Sequence, residues 1–348
     1  DWGRDTMIAL PGLTRATGRP ALARAILETF AGYVHDGLLP NVFPGAGETP
    51  DYNSVDAALW FIEAWRAYLE ATHDKAALRR AFPALVRIVA AYRGGTRFGI
   101  RIDPSDGLVQ AGEPGLQLTW MDARVDDRVI TPRHGKPAEI NALWYNALRS
   151  MASFARVLGA PAAQFDALAD AAQQGFMRYD RGDGGGLFDV LDGPSGDDRS
   201  IRPNQVFALS LTHSPISDQD LRRRVLEECR QHLLTPFGLR SLSPEDDLYQ
   251  SQYLGNVAQR DGSYHQGPVW TWLLGHFAMA EWRVTGAPDP AQQRLAALGE
   301  QLSEACVGQL SEIHDGDAPH LPRGAPAQAW SVACTLEAWW RIERARHA

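Results

Sequence analysis

The chain has 348 residues and a formal net charge of −8, with 45% hydrophobic and 22% charged residues. This acidic balance disfavours nucleic acid as a partner, because phosphate binding needs a basic surface. No apolar run approaches the roughly 18 residues that a membrane-spanning helix requires, so no membrane partner is expected. The scattered Cys229, Cys306 and Cys334 indicate neither a disulfide framework nor a thiolate zinc site.

Helical patterns follow one another along almost the whole chain. Eleven helices are predicted, over residues 5–17, 20–35, 53–72, 75–93, 138–158, 161–178, 203–212, 217–233, 267–285, 289–310 and 327–346. Strand-like patterns are limited to short pieces such as 99–102 and 187–190. Tight links alternate with long ones, namely 36–52, 94–137, 179–202, 234–266 and 311–326. Because structureless links longer than roughly 12–15 residues usually carry function or are disordered, and these contain Trp, Arg, His and carboxylates, we interpret them as functional.

The predicted helices also alternate in character. Odd-numbered helices are apolar nearly all round, as in 57–62 and 269–274, which is typical of buried helices. Even-numbered helices are amphipathic, with a charged outer face in 221–228. Six buried and five surface helices predict an all-α, two-layer ring of helix hairpins, an (α/α)6 barrel that lacks one outer helix. We expect that helix before residue 1, in a parent chain of which this is a fragment.

A pocket is predicted at the end of the ring where the inner helices begin, because the long loops and six helix N-termini meet there. Polar side chains stand at each of these starts: Arg4 and Asp5; Tyr52, Asn53 and Asp56; Glu139 and Asn141; Asn204 and Gln205; His265 and Gln266; Gln328. Helix capping is the simpler interpretation of Asn53, Asn204 and Gln328 taken singly. Arginine, glutamate and histidine are poor caps, so Arg4, Glu139 and His265 favour a functional role.

Tryptophan is abundant near this predicted pocket. Of 11 tryptophans, we expect six at or near the pocket end: Trp2, Trp60, Trp120, Trp144, Trp270 and Trp330. Sugars present apolar C–H faces and polar rims, which aromatic rings and carboxylates match together. We predict ligand contact for Trp2 and Trp120, and a place in the core for Trp60, Trp65, Trp282, Trp339 and Trp340.

Carboxyl groups on the long loops are the candidates for catalysis. Cleavage of a glycosidic bond needs two carboxyl groups that face each other across the bond. The candidates are Glu113, Asp122, Asp126, Asp246, Asp247, Glu312, Asp315 and Asp317. Asp122 lies in an apolar stretch that would raise its pKa and suit a general acid, and Glu312 comes from the opposite part of the ring. Spacing alone leaves several pairs possible. The residues 314–320 fit a polar turn better than a metal site, and no metal or cofactor is expected.

Several long segments occur in a recognisable order. They are the residues 1–6 (DWGRDT), 36–41 (DGLLPN), 52–56 (YNSVD), 111–115 (AGEPG), 119–123 (TWMDA), 139–146 (EINALWYN), 202–205 (RPNQ), 264–267 (YHQG) and 328–331 (QAWS). Together they resemble the amylo-α-1,6-glucosidase domain of glycogen debranching enzymes in their bacterial and archaeal form. The resemblance covers essentially the whole chain. It departs from the family pattern at Arg124, His314 and 325–326, where Lys, an aromatic residue, and Cys followed by an apolar residue are more usual.

The resemblance implies a glucoamylase-related, inverting glycoside hydrolase, with residues 1–348 as a single catalytic domain. It carries the general acid over to Asp122 and the general base to Glu312, while Arg4 and Asp5 would hold the hydroxyls of the terminal glucose. The expected substrate-binding set is completed by Trp2, Tyr52, Asn53, Asp56, Trp120, Glu139, Asn141, His265, Gln266, Trp270 and Trp330. The implied partners are glycogen or another branched α-glucan and an N-terminal domain of the parent chain. A cytoplasmic location follows from glycogen being intracellular.

The predicted activity is release of the single α-1,6-linked glucose left on a trimmed glycogen branch. Two alternatives lie in the same class, an α-1,4 exo-glucosidase of glucoamylase type and another hydrolase on this barrel, such as a trehalase-like enzyme. A third alternative, from another class, is a glucan-binding module that has lost activity. The presence of both Asp122 and Glu312 argues against that module.

Overall fold

A computed structural model describes residues 2–43 and 49–347. Asp1, which opens the first motif, lies outside the described residues. Twelve α-helices lie within the described ranges: α1 (Gly3–Leu10), α2 (Pro20–Gly32), α3 (Ala57–Thr72), α4 (Lys75–Gly94), α5 (Ala138–Leu158), α6 (Ala163–Phe176), α7 (Phe207–Ser210), α8 (Gln219–Glu228), α9 (Val257–Ser263), α10 (Trp272–Thr285), α11 (Pro288–Ala296) and α12 (Ala329–Arg346). The protein is therefore mostly helical, as its apolar periodicity predicts.

Six of these helices form a closed inner ring. Each of α1, α3, α5, α7, α10 and α12 packs against the next, and α12 packs against α1. Around them, α2 packs on α3, α4 and α6 pack on α5, α8 packs on α10, and α11 packs on α10 and α12. Among the described helices, no outer helix packs closely against both α12 and α1. This gap agrees with the predicted ring of six inner and five outer helices, and an outer helix before residue 1 stays a prediction.

Several helix boundaries differ from the predicted ones. The first inner helix continues beyond α1 as a π-helical turn, Pro11–Arg15, beginning at a proline that has no N–H to donate. The predicted helix 203–212 is a 3-10 turn, Pro203–Val206, followed by the single α-helical turn α7. Helix α9 was not predicted. Its N-cap Asn256 accepts from the Gln259 N–H and Gln259 reaches back to the Asn256 N–H, a capping box that fixes its start.

Short antiparallel strands tie the long loops together, more extensively than the sequence predicts. They are β1 (Arg101–Ile102), β2 (Val109–Gln110), β3 (Arg124–Val125), β4 (Arg128–Val129), β5 (Lys136–Pro137), β6 (Val190–Gly193), β7 (Gly196–Asp198), β8 (Leu234–Thr235), β9 (Gly238–Arg240), β10 (Val269–Trp270), β11 (Ile313–His314) and β12 (Pro322–Arg323). The largest sheet has the order β12-β11-β10-β9-β8. Trp270 pairs with Ile313 in it, so the last long loop is fixed beside the start of α10.

The core fills the space between the two layers of helices. Trp65, Trp144 and Trp272 are fully buried, and Trp144 stacks on Tyr92 with ring centroids 5.7 Å apart. Trp144 thus belongs to the core and not to the pocket. The prediction that Trp339 belongs to the core was wrong, because its side chain is 40% exposed on α12. None of the helices in residues 2–43 and 49–347 combines the length and apolar character needed to cross a bilayer.

Candidate active site

An open cavity of about 730 Å³ lies at the end of the ring where the inner helices begin. It brings together side chains from the start of α1, the long loop before β3, the segment before α10, the last long loop and the start of α12. The lining residues are Trp2, Arg4, Asp5, Thr6, Ala9, Leu10, Leu13, Thr14, Leu22, Ile26, Trp120, Asp122, Tyr264, Trp270, Glu312, Gln328, Ala329 and Trp330. Eight predicted site residues share this cavity, including Asp122 and Glu312.

Asp122 is held in the cavity wall by Arg4. The Arg4 Nη1 donates to Asp122 Oδ2 at 2.9 Å, and its Nε donates to both carboxylate oxygens of the buried Asp56 at 2.8 Å. Desolvation in the cavity wall raises the pKa of the Asp122 carboxyl; the Arg4 charge lowers it and the Asp56 charge raises it again. One guanidinium therefore serves two carboxyl groups, which favours a protonated Asp122.

Asp5, one turn of backbone from Trp2, faces the same space. Burial raises the pKa of its carboxyl to about 6; the Arg4 charge opposes this rise, and the charges of Asp122 and Glu312 add to it. Like charges at one site resist simultaneous ionisation. A cavity with this pattern has carboxyl groups both able to donate and able to accept protons near neutral pH.

Glu312 lies directly before β11 and is surrounded by hydrogen-bond donors. The Tyr264 hydroxyl donates to its Oε1 at 2.6 Å, and the Ala325 N–H donates to its Oε2 at 2.8 Å. The Gln328 amide adds a longer bond of 3.4 Å to Oε1. All three groups donate, so the arrangement suits an ionised carboxylate, the form that a general base needs.

Indole rings form the apolar wall of the cavity. Trp120, Trp270 and Trp330 are each at most 5% exposed, whereas Trp2 at the rim is 53% exposed. The fully buried His265 stacks on Trp270, with ring centroids 5.0 Å apart and planes at 7°, and meets Trp120 edge to face. The indoles meet edge to face, with the planes of Trp120 and Trp270 at 83° and those of Trp270 and Trp330 at 70°, so they form an angled apolar wall that suits the C–H faces of a sugar.

Seven residues of the predicted binding set lie outside the cavity lining: Tyr52, Asn53, Asp56, Glu139, Asn141, His265 and Gln266. Asp56 holds Arg4, and His265 supports Trp270. Asn141 bonds the backbone of Val109, and the Tyr52 hydroxyl donates to the Tyr33 carbonyl. Asn53 accepts from Asn41, and Gln266 bonds Arg202 and the Ile130 carbonyl. Asp56 and His265 therefore reach the cavity through lining residues that they contact, whereas the partners of the other four lie outside the lining.

Glu139 belongs to a buried polar chain that ends at the cavity wall. It accepts from Arg133, which donates to Asp189 at 2.9 Å; Asp189 accepts from Asn204 at 2.8 Å. Asn204 in turn accepts from the Trp120 indole N–H at 2.7 Å. Asn204 is therefore not a helix cap, because its side chain orients Trp120. By contrast, Gln328 does cap α12, accepting from the Ala329 N–H, and also touches Glu312.

Tyr264 is the main cavity residue missing from the predicted set. It stands next to His265 in the YHQG segment, but a single tyrosine beside a helix start gives no sign that its hydroxyl reaches Glu312, 48 residues later. His314, a departure from the family pattern, stacks on Phe237 with ring centroids 4.9 Å apart. A flat ring is thus retained at that position.

One group of three carboxylates in the described part of the chain has metal-like spacing, Asp103, Asp106 and Asp192. The Lys136 ammonium lies among them, 2.8 Å from Asp103 and Asp106 and 2.6 Å from Asp192. A buried positive charge already stands where a cation would bind. The cluster therefore fixes the two ends of the loop that carries Asp122, β1–β2 at one end and β5 at the other.

Comparison with known proteins identifies the family. A family model described as amylo-alpha-1,6-glucosidase matches residues 1–337. The chain belongs to the amylo-α-1,6-glucosidase family. This confirms the resemblance carried by the sequence motifs, and it makes the chain a glycoside hydrolase family domain.

The family member is distant from its characterised relatives. It is 24% identical over 451 residues to the glycogen debranching enzyme of Saccharomyces cerevisiae, an alignment that covers 98% of this chain and 29% of the yeast protein. The chain thus spans less than a third of that relative.

Two crystal structures from Thermus thermophilus have a similar fold. A GH63 mannosylglycerate hydrolase in complex with Tris and D-glycerate has a TM-score of 0.71 at 16% identity, with 97% of this chain and 92% of that chain covered. An uncharacterized conserved protein has a TM-score of 0.69 at 18% identity, with 96% and 91% covered. At these identities the likeness shows the fold alone, that of an (α/α)6 hydrolase.

Proposed function

We propose that this family member is an inverting glycosidase that releases glucose from α-1,6-linked branch stubs of glycogen or limit dextrin, with residues 1–348 as one catalytic domain. The observation that supports this most directly is that Asp122 and Glu312 both line one aromatic-walled cavity. One carboxyl group has a raised pKa, and the other accepts three hydrogen bonds. That division suits the two carboxyl groups of a glycoside hydrolase, and the inverting outcome is what the family resemblance implies.

In the proposed reaction, protonated Asp122 donates its proton to the leaving O6 as the bond from O6 to C1 breaks. A water held by ionised Glu312 attacks C1 from the opposite face and gives its proton to Glu312. The product is β-glucose, and the proton on Glu312 returns to Asp122 through solvent. Arg4 and Asp5 would hold the hydroxyls of the terminal glucose, and the indole wall would pack on its C–H face.

The substrate class is supported by the family and by one relative. The yeast relative is named a glycogen debranching enzyme, and the GH63 hydrolase of similar fold has been crystallised in complex with glucose. An α-glucan fits an indole wall that faces three carboxyl groups. An N-terminal domain of the parent chain as partner and a cytoplasmic location stay predictions.

Proton NMR of the anomeric signals tests the proposal. The protein is incubated separately with a 6-O-α-glucosyl-branched glucan and with linear maltooligosaccharide. We expect β-glucose first, and from the branched glucan alone. Asp122→Asn and Glu312→Gln should each lower kcat by about 100-fold or more, since each removes a proton-transfer group. Arg80→Met, an exposed control on α4, should retain full activity.

Other outcomes distinguish the alternatives. Mainly linear-chain cleavage to β-glucose would indicate a glucoamylase-like α-1,4 exo-glucosidase. If α-glucose appears first, the inverting acid and base assignment is wrong. Glucan binding without any glucose release would indicate a binding module.

A further inference from the structure

A second large groove, of about 660 Å³, opens at the other end of the ring. The inner helices that begin at the catalytic cavity end here, so the groove is lined by the last turns of α1's π-helical extension, α3, α10 and α12. Its charged lining consists of Arg15, Arg283, Arg341, Arg344 and a single carboxylate, Glu70. We call it the far-end groove.

Part of this charge is neutralised by a compact ion-pair network. Arg15 pairs with Glu70 at 2.6 Å and with Glu337, and Arg341 pairs with Glu337 at 2.6 Å and with Glu70 at 3.3 Å. Arg66 is shared between Glu63 and Glu70. Three guanidinium groups thus balance three carboxylates, Glu63, Glu70 and Glu337.

Arg283 and Arg344 remain outside that balance. Among the residues described, neither has a carboxylate oxygen within 4 Å. Arg283 donates one hydrogen bond to the Leu211 carbonyl, and its buried Nε–H has no partner. Arg344 is exposed and lies over the Trp340 ring, 4.8 Å from its centroid. Two positive charges therefore face the groove without an ion-pair partner among the described residues, and the Glu63 charge acts on Arg283 only from beyond ion-pair distance.

Burial and mutual repulsion lower the pKa values of the guanidinium groups around the groove. Burial lowers the pKa of Arg283 to about 10, and the neighbouring Arg341 and Arg66 charges lower it further. Burial, with the Arg341 charge, also lowers the pKa of Arg15 to about 9. An anion in the groove would relieve this repulsion, and the partly exposed indoles of Trp282 and Trp340 line the same space.

We propose that the far-end groove is a binding site for a phosphomonoester dianion, held by Arg283 and Arg344, with the remainder of the molecule against the Trp282 ring, since Arg15 and Arg344 already lie over Trp340. Guanidinium groups bind phosphate oxygens through forked N–H donors, and a dianion matches the charge of the two arginines. The alternative is a purely structural role, in which these arginines offset the partial negative charge at the C-terminal ends of the inner helices; this role predicts no phosphate binding. The site is independent of the proposed glucosidase activity.

Tryptophan fluorescence and calorimetric titration test the site on the whole chain. The probes are orthophosphate, glucose 6-phosphate and AMP, each at an ionic strength matched with sodium chloride. We expect saturable binding of at least one probe. Orthophosphate as tight as the esters assigns free phosphate as the ligand, whereas tighter glucose 6-phosphate or AMP assigns a sugar phosphate or a nucleotide.

The variants separate this site from the catalytic cavity. Arg283→Met and Arg344→Met should each weaken binding about tenfold or more, because each removes charged hydrogen bonds to phosphate. Arg344 is exposed, so its variant should fold even if the Arg283 variant does not. Arg80→Met is the matched control and should bind as the parent does, and glucose release should be unchanged in the Arg344 variant.

The proposal is wrong if no probe binds beyond the effect of chloride, or if binding survives both substitutions in folded protein. It is equally wrong if binding is lost in Asp5→Asn but kept in the two arginine variants, since the probe would then occupy the catalytic cavity.

Discussion

At the scale of single residues, the cavity is governed by how few positive charges serve its carboxyl groups. Arg4 is the one cationic side chain in the described lining, and it is already bound to Asp56 and Asp122. Asp5 therefore has little compensation, and its pKa rises to about 6. A hydrolase that must keep one carboxyl group protonated near neutral pH benefits from this shortage.

Because Asp5 has so little positive charge nearby, we expect its ionised carboxyl to lower the free energy of unfolding in a pH-dependent way. A carboxyl group whose pKa is higher in the folded than in the unfolded state binds more protons in the folded state. Its contribution to the free energy of unfolding therefore falls as pH rises from about 4 to about 6. Asp5→Asn should thus gain about 1–2 kcal/mol of unfolding free energy relative to the parent at pH 7.5, but little at pH 4. Urea denaturation at both pH values measures this, and an equal difference at both would contradict it. The variant should also bind glucan poorly.

A second residue-scale prediction concerns Tyr264. Removal of its hydroxyl in Tyr264→Phe deletes the 2.6 Å bond to Glu312 but keeps the ring that packs 4.8 Å from Trp270. We expect kcat to fall about tenfold with little change in KM, because Glu312, the proposed base, loses its shortest hydrogen bond. Tyr249→Phe, whose hydroxyl bonds Asp317 on the surface, is the control. A larger KM with unchanged kcat would show that Tyr264 binds substrate instead.

At the scale of elements, α12 is the helix on which ring closure depends. Its neighbours on both sides approach through glycine. A Cβ built on Gly12 would lie 1.9 Å from the Ala333 carbonyl oxygen, and one built on Gly275 would lie 2.3 Å from the Cys334 carbonyl oxygen. These contacts are with backbone, which cannot rotate away.

Gly12→Ala and Gly275→Ala should therefore each destabilise the fold by about 2 kcal/mol or more, through overpacking between rigid backbones. Gly32→Ala is the control, since Gly32 also lies in a helix and has nothing within 4 Å of its added methyl group. The control should be neutral or slightly stabilising, given the helix propensity of alanine. Equal melting temperatures for all three variants would mean that the helices separate easily.

Sequence patterns capture the helices better than the contacts between loops. The apolar runs at 57–62 and 269–274 predict buried helices because burial leaves a periodic trace along the chain. The bond between Tyr264 and Glu312, or that between Trp120 and Asn204, leaves none, since the partners are 48 and 84 residues apart. Glu139 and Asn141 look exposed to substrate in sequence because helix starts face the pocket, but their side chains turn towards buried partners.

At the scale of the whole molecule, the cavity and the far-end groove have linings of opposite charge. Three carboxyl groups and one arginine line the cavity, whereas four arginines and one carboxylate line the groove, which complements the partial charges of the helix termini. The sharing of Glu337 between Arg15 and Arg341 holds the end of α12 to the end of the first inner helix.

Glu337→Gln should destabilise the whole ring by about 1–3 kcal/mol, because two partly buried guanidinium groups lose a counter-charge. The exposed pair between Arg80 and Glu28 provides the control, and Glu28→Gln should change stability by less than about 1 kcal/mol. Urea denaturation of the two variants makes the comparison. Indistinguishable midpoints would show that α12 is held by apolar packing alone.

The strands next to Glu312 determine which insertions or deletions in the last long loop would move this residue and which would not. The backbone of Glu312 is bonded on both sides, accepting from the Thr271 N–H at 3.2 Å and donating to the Ala325 carbonyl at 2.9 Å. The turn between β11 and β12 reaches the surface at residues 317–319, beyond these bonds. That turn should lengthen, shorten or accept an inserted peptide without displacing Glu312, which makes it a suitable place to attach a reporter.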